Sequence, residues 1–81
     1  WLNLSSEYSI AEIAVPGKWV GKSLMELDVR RSHDVNVVGI KKGEDIQVNP
    51  EPSEPLQDGI VLILIGSNEA LEKFGRKQVK Q

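Results

Sequence analysis

The run Ile60-Val61-Leu62-Ile63-Leu64-Ile65 constrains this chain more than any other segment. It is far short of the about 20 apolar residues that a membrane-crossing helix needs. Asp58-Gly59 bounds it on one side and Gly66 on the other, and both are turn or stop signals. An unbroken, β-branched apolar run of this kind suits a central strand buried on both faces. Such a strand needs neighbours on either edge and cover over the sheet, and the rest of the chain must supply them.

Residues 8–15, Tyr-Ser-Ile-Ala-Glu-Ile-Ala-Val, read as a strand that ends before Pro16-Gly17. Gly21 then opens a short helix, with Ser23 as its N-cap and Leu24, Leu27 and Val29 as its apolar stripe. Val35-Asn36-Val37-Val38-Gly39-Ile40 is a second strand, Lys41 to Glu44 a turn, and Asp45-Ile46-Gln47-Val48 the returning strand of a hairpin. Pro50, Pro52 and Pro55 remove ladder donors and fix φ, so residues 49–55 form an extended, stiff loop. After the apolar run, Ser67 or Asn68 caps a last helix, with Glu69 in its first turn and Ala70, Leu71 and Phe74 on its inner face. Gly75 is the expected stop, and residues 76–81 a polar tail. The order is β-α-β-β-β-α: an α+β domain with a mostly antiparallel sheet and two short helices.

The chain has 81 residues, which sets the count at one domain. A domain of this size buries only about 60% of the surface that its unfolded chain exposes, so dimerisation is a natural way to extend its core. There are no cysteines, which removes disulfides, thiolate catalysis and Cys-ligated zinc, and agrees with a cytosolic setting. Ten basic and twelve acidic residues are interspersed, for a net charge of −2. No broad positive field exists to hold a nucleic-acid backbone. Two Trp, one Tyr and one Phe make a poor base-stacking platform. The start carries no signal-peptide pattern and no initiator Met, so the chain is expected to be a piece of something longer.

Few residues invite a chemical reading. Gly21-Lys22-Ser23 resembles the end of a phosphate-binding loop, but the required glycine five residues earlier is Pro16. A glycine turn followed by a helix cap is the better reading. His33, the only histidine, sits beside Asp34 without a nucleophile or carboxylate cluster at catalytic spacing, and is expected to be a solvated loop residue. The remaining carboxylates are scattered, and nothing selects an acid–base pair, so the chain is not expected to be an enzyme. Asp28-Val29-Arg30-Arg31 is more informative. It closes a short helix just before a strand, and an arginine fork there matches phosphate geometry. Asp28 can orient that fork or accept from a purine amino group, and the Asn36 amide both donates and accepts. The competing reading is a helix end whose basic residues complement the helix dipole.

Several segments together resemble one family. They are Tyr8 through Val15; Val20-Gly-Lys-Ser-Leu-Met-Glu-Leu-Asp-Val-Arg30; Asn36-Val-Val-Gly-Ile-Lys-Lys-Gly43; Asn49-Pro50; and Leu56-Gln-Asp-Gly-Ile-Val-Leu-Ile-Leu-Ile-Gly-Ser-Asn-Glu-Ala-Leu-Glu-Lys73. The chain is similar to the RCK C-terminal (TrkA-C) domain of bacterial potassium-uptake regulators of the Ktr type, from about residue 5 to residue 75. The resemblance implies a two-fold dimer, and residues 1–6 as a linker from a missing N-terminal domain. It implies cyclic di-AMP in the dimer cleft as a signal that inhibits potassium uptake. Asp28, Val29, Arg30 and Asn36 match the family's contacts to that ligand, and Leu24 and Pro52 would line the adenine. It further implies an octameric ring in the full-length protein and a membrane potassium-translocating subunit as partner, hence a cytoplasmic place peripheral to the membrane. No resident cofactor, nucleic-acid partner or direct membrane insertion is expected. The alternative is a purely structural dimerisation module of a channel or antiporter regulator.

Overall fold

The structure is a computed structural model that describes residues 1–79, with side-chain surroundings described through Gly75. The apolar run becomes β5 (Val61–Ser67), the middle strand of a five-stranded sheet. β2 (Tyr8–Ala14) pairs with one edge of it and β3 (Val35–Lys42) with the other, both antiparallel. β1 (Leu2–Asn3) adds to β2, and β4 (Asp45–Val48) to β3, which gives the order β1-β2-β5-β3-β4. Gly43 takes φ 61° at the β3–β4 turn, the left-handed conformation that glycine adopts at no steric cost. The mixed α+β class and the antiparallel sheet thus agree with the sequence reading.

β5 is not buried on both faces, as its apolar run suggested. Leu62 and Leu64 are fully buried, but Val61, Ile63 and Ile65 are only half-buried. Opposed residues share a face, so Ser9, Ala11 and Ile13 of β2 and Val35, Val37 and Ile40 of β3 join Leu62 and Leu64 under the helices. The other face carries Leu2, Ile10, Ile63, Ile65, Ile46 and Val48, crossed by an ion pair from Lys41 to Glu12 at 3.3 Å. The run is apolar throughout because its strand is central, yet helices cover one side only. A register shift between Val37 and Gly39 marks a β-bulge at Val38.

The helical parts also differ from a simple two-helix scheme. A 3₁₀ turn over Gly17–Trp19 buries Trp19. The expected first helix is two: α1 (Leu24–Leu27) and α2 (Val29–His33), broken at Asp28. Asp28 has φ 49° and ψ 55°, a left-handed conformation that ends one helix and aims the next. Ser23 caps α1 as expected, in a full capping box: its side chain accepts from the Glu26 N–H at 3.1 Å, and Glu26 Oε1 accepts from the Ser23 N–H at 3.0 Å. α3 (Asn68–Val79) runs through Gly75 rather than stopping there. Its first turn is capped by Ser67, whose Oγ accepts from the Ala70 N–H at 3.0 Å. Lys80 and Gln81, the end of the expected polar tail, lie outside the described residues. Ala70, Leu71 and Phe74 seat α3 on Leu62 and Leu64, as the periodicity predicts. Where a linker was expected over residues 1–6, Leu2 and Asn3 pair with Ile10 and Ser9.

Candidate functional site

The site begins at the unpaired half of an edge. β4 joins β3 only from Gly39 to Lys42, so Val35–Val37 have no strand on their outer side. α1 and α2 flank that edge, and the proline-rich loop flanks it opposite. Asn49, at φ 57°, turns the chain out of β4 into the loop. The loop is then tied to α1: the Met25 N–H donates to the Pro52 carbonyl at 2.9 Å, and the Leu56 N–H to the Lys22 carbonyl at 2.8 Å. These walls enclose a groove of about 370 Å³.

All six residues singled out from sequence line this groove: Leu24, Asp28, Val29, Arg30, Asn36 and Pro52. Their roles differ. Val29 is 6% exposed and belongs chiefly to the core, so it offers the groove only its margin. Leu24 is half-buried and packs against the core from α1. Asp28, Arg30, Asn36 and Pro52 are exposed, so the polar atoms stand open at the rim. Met25 and Pro50 also line the groove and were not singled out. Met25 is 66% exposed, and a helical apolar residue beside Leu24 that finds no place in the core was the signal available.

A second hollow of about 470 Å³ shares Asp28, Arg30, Val35 and Asn36 with the first and adds Arg31 and Asp34. Two cations and two anions therefore ring the mouth. Asp28 pairs with Arg31 at 3.5 Å, so the arginine that it orients is Arg31 and not Arg30. Both partners are well exposed, and such a pair contributes little stability. Among the described residues Arg30 makes no ion pair, which leaves its guanidinium available to an anion.

His33 is not the solvated loop residue expected. It ends α2 and is half-buried, with its ring 5.0 Å from Phe74 and 5.6 Å from Trp19, centroid to centroid. These aromatic contacts anchor α2 to the core behind the groove. Among the described residues there is no cluster of His, Cys, Asp or Glu able to hold a metal ion. No helix among them is long and apolar enough to cross a membrane.

Comparison with known proteins places this geometry in context. The family model for the TrkA-C domain matches residues 9–78. The chain is 34% identical over 77 residues to the Ktr system potassium uptake protein C of Bacillus subtilis (strain 168), covering 95% of this chain and 35% of that protein. It thus spans about a third of the length of such curated relatives. Among solved structures, the RCK C domain of the potassium transport protein KtrA, in complex with cyclic diadenosine monophosphate, superposes with a TM-score of 0.81 at 34% identity. That match covers 91% of this chain and 87% of the other. The GsuK channel superposes with a TM-score of 0.79 at 27% identity, over 90% of this chain and 14% of that one.

Proposed function

The chain is a TrkA-C domain, and from that footing we propose that it is the regulatory ligand-binding part of a Ktr-type potassium-uptake system, holding cyclic di-AMP across a two-fold homodimer. The observation that carries this reading is the single groove that gathers Leu24, Asp28, Val29, Arg30, Asn36 and Pro52. Its relatives are potassium-uptake proteins, and a similar domain is known with cyclic di-AMP bound.

A groove of about 370 Å³ is at the low end for a drug-sized ligand, which commonly needs roughly 300–1,000 Å³. That volume suits one half of a cyclic dinucleotide, so the second half calls for a second groove. A two-fold dimer presents the same patch twice, and the ligand has the same symmetry. One Arg30 per subunit then meets each phosphate, while Leu24, Pro52 and the margin of Val29 cover a purine and Asn36 and Asp28 meet its polar edges. The contact surface is alkyl, so affinity comes from burial and charged hydrogen bonds rather than from stacking. Ligand shifts the regulator only through its different affinity for two dimer arrangements. On this reading the domain belongs, in the parent protein, to a cytoplasmic octameric ring against a membrane potassium-translocating subunit, with cyclic di-AMP inhibiting uptake.

Isothermal titration of the domain with cyclic di-AMP, cyclic di-GMP and ATP tests the reading. Binding of cyclic di-AMP alone at tens of micromolar or below is expected, and no heat at that concentration overturns it. A second reading, a structural dimerisation module, is favoured by the openness and aliphatic lining of the groove. It predicts a dimer in sedimentation with no thermal shift from any nucleotide.

A further inference from the structure

The junction between β5 and α3 meets Val35, which lines the groove, on one side and the N-terminal segment on the other. On the groove side, Val35 is opposite Gly66 and Asn36 is opposite Ile65. The approach is close: a Cβ on Gly66 would stand 2.9 Å from Val35 Cγ1 and 3.4 Å from the Asp34 carbonyl. The start of β3 and the end of β5 therefore cannot move independently at this point.

Two residues further on, Asn68 holds the N-terminal segment. Its N–H donates to the Glu7 carbonyl at 2.8 Å, and its Nδ2 donates to the Ser6 carbonyl at 3.2 Å. The hydroxyl of Ser9, a residue with no exposed surface, donates to the Asn68 side-chain carbonyl. Asn3 Oδ1 also lies 2.8 Å from that hydroxyl. One hydroxyl proton cannot serve two acceptors, and the contact with Ser6 fixes the Asn68 amide. The Asn3 amide must therefore turn its NH₂ toward Ser9. The result is a polar node, Asn3–Ser9–Asn68, centred on the Ser9 hydroxyl.

The rest of the strap is held by local backbone bonds, the Leu4 and Ser5 N–H groups both donating to the Tyr8 carbonyl. β1 is two residues long and exposed, and such a strand is marginal by itself. Release breaks the Asn3–Ser9 contact, while the Ser9 hydroxyl keeps its donation to Asn68.

We propose that the Asn3–Ser9–Asn68 node is a latch that couples the N-terminal strap to the ligand groove through Gly66 and Ser67. This inference rests on the groove being the ligand site. Ligand that steadies Asn36 and Val35 steadies the Gly66–Asn68 junction, and so favours the latched strap. By reciprocity, breaking the latch weakens ligand binding by the same factor.

The test combines cyclic di-AMP titration calorimetry with hydrogen exchange on the 81-residue chain and on Ser9→Ala and Asn3→Ala variants. Ligand is expected to slow exchange at the Leu4 and Ser5 amides, which both donate to the Tyr8 carbonyl. Both variants are expected to weaken binding about five-fold or more while leaving Arg30 and Asn36 in place. Asn3→Ala removes the strap's side alone, so it stands if Ser9→Ala disturbs the core. Binding with unchanged affinity in Asn3→Ala, or unchanged exchange at Leu4 and Ser5 on ligand addition, overturns the latch and leaves the ligand site standing. No binding to the parent chain overturns both.

Discussion

The Met25 N–H donates to the Pro52 carbonyl at 2.9 Å, across the groove from one wall to the other. This bond makes α1 and the proline loop one unit rather than two facing surfaces. The bridge between Ser23 and Pro55 and the donation from the Gly21 N–H to the Leu56 carbonyl at 2.8 Å extend the same seam. What disturbs α1 therefore disturbs the loop, and through it the width of the groove.

Ser23→Ala follows directly from that seam. Losing the capping box costs about 1 kcal/mol. For a domain of this size the melting temperature falls by about 4–8 °C. Because α1 and the loop move together, ligand affinity falls as well. Thermal melts and calorimetry on one preparation check both, and a variant with parental affinity would show that the walls are independent.

Arg30→Ala separates binding from folding. Arg30 is exposed and outside the core, so melting should be unchanged. A charged hydrogen bond to phosphate is worth about 1.5–3 kcal/mol, so cyclic di-AMP affinity should drop roughly ten- to a hundred-fold. Arg31→Ala, which removes only the exposed partner of Asp28, should cost far less. Equal binding by Arg30→Ala and parent would move the anion contact elsewhere.

Asp28 is a backbone position as much as a side chain. At φ 49° a residue with a Cβ is strained by about 1–2 kcal/mol relative to glycine. Asp28→Gly and Asp28→Ala both remove the carboxylate, yet the glycine variant should melt several degrees higher. Similar ligand affinities in the two would assign the role to the carboxylate, and a clear advantage for glycine would assign it to the helix break.

Two glycine substitutions should act in opposite directions. Gly66→Ala places a methyl 2.9 Å from Val35 Cγ1 and should cost about 1–3 kcal/mol. Gly75→Ala meets nothing within 4 Å and lies inside α3. It should therefore stabilise the domain by about 0.5–1 kcal/mol. Urea midpoints measure both, and the same sign for the two would contradict the packing described.

Strands were readable because alternation and turn residues are local signals. The segments expected at residues 8–15, 35–40, 45–48 and 60–65 all became strands, although Lys41 and Lys42, expected in the turn, extend β3 and β5 starts at Val61. What escaped depends on distant partners. Nothing in Asp28 itself says that it adopts a left-handed conformation, since Asp is also an ordinary cap. Gly75 would end an isolated helix, but Leu71 and Phe74 hold α3 to the sheet, and one glycine costs only about 1 kcal/mol. His33 looked solvated because its neighbours in sequence are polar, while its packing partners are Trp19 and Phe74. The groove residues were named through likeness to a family. Residue chemistry alone reached a basic helix end near Asn36, and the closure of the groove by Pro50, Pro52 and Met25 required the loop's path.

The bulge at Val38 means that β3 is written in two reading frames. Before it, odd positions face the core, as at Val35 and Val37; after it, the core position is even, at Ile40. Counting by twos from either end misplaces the far half of the strand by one. The bulge takes the extra residue out of the pairing, so Asn36 stays at the groove while Ile40 stays beneath the helices. Deleting Val38 would make the alternation strict without moving either residue to the opposite face. At this one point of β3, chain length is free to vary in a way that the strand's side-chain pattern is not.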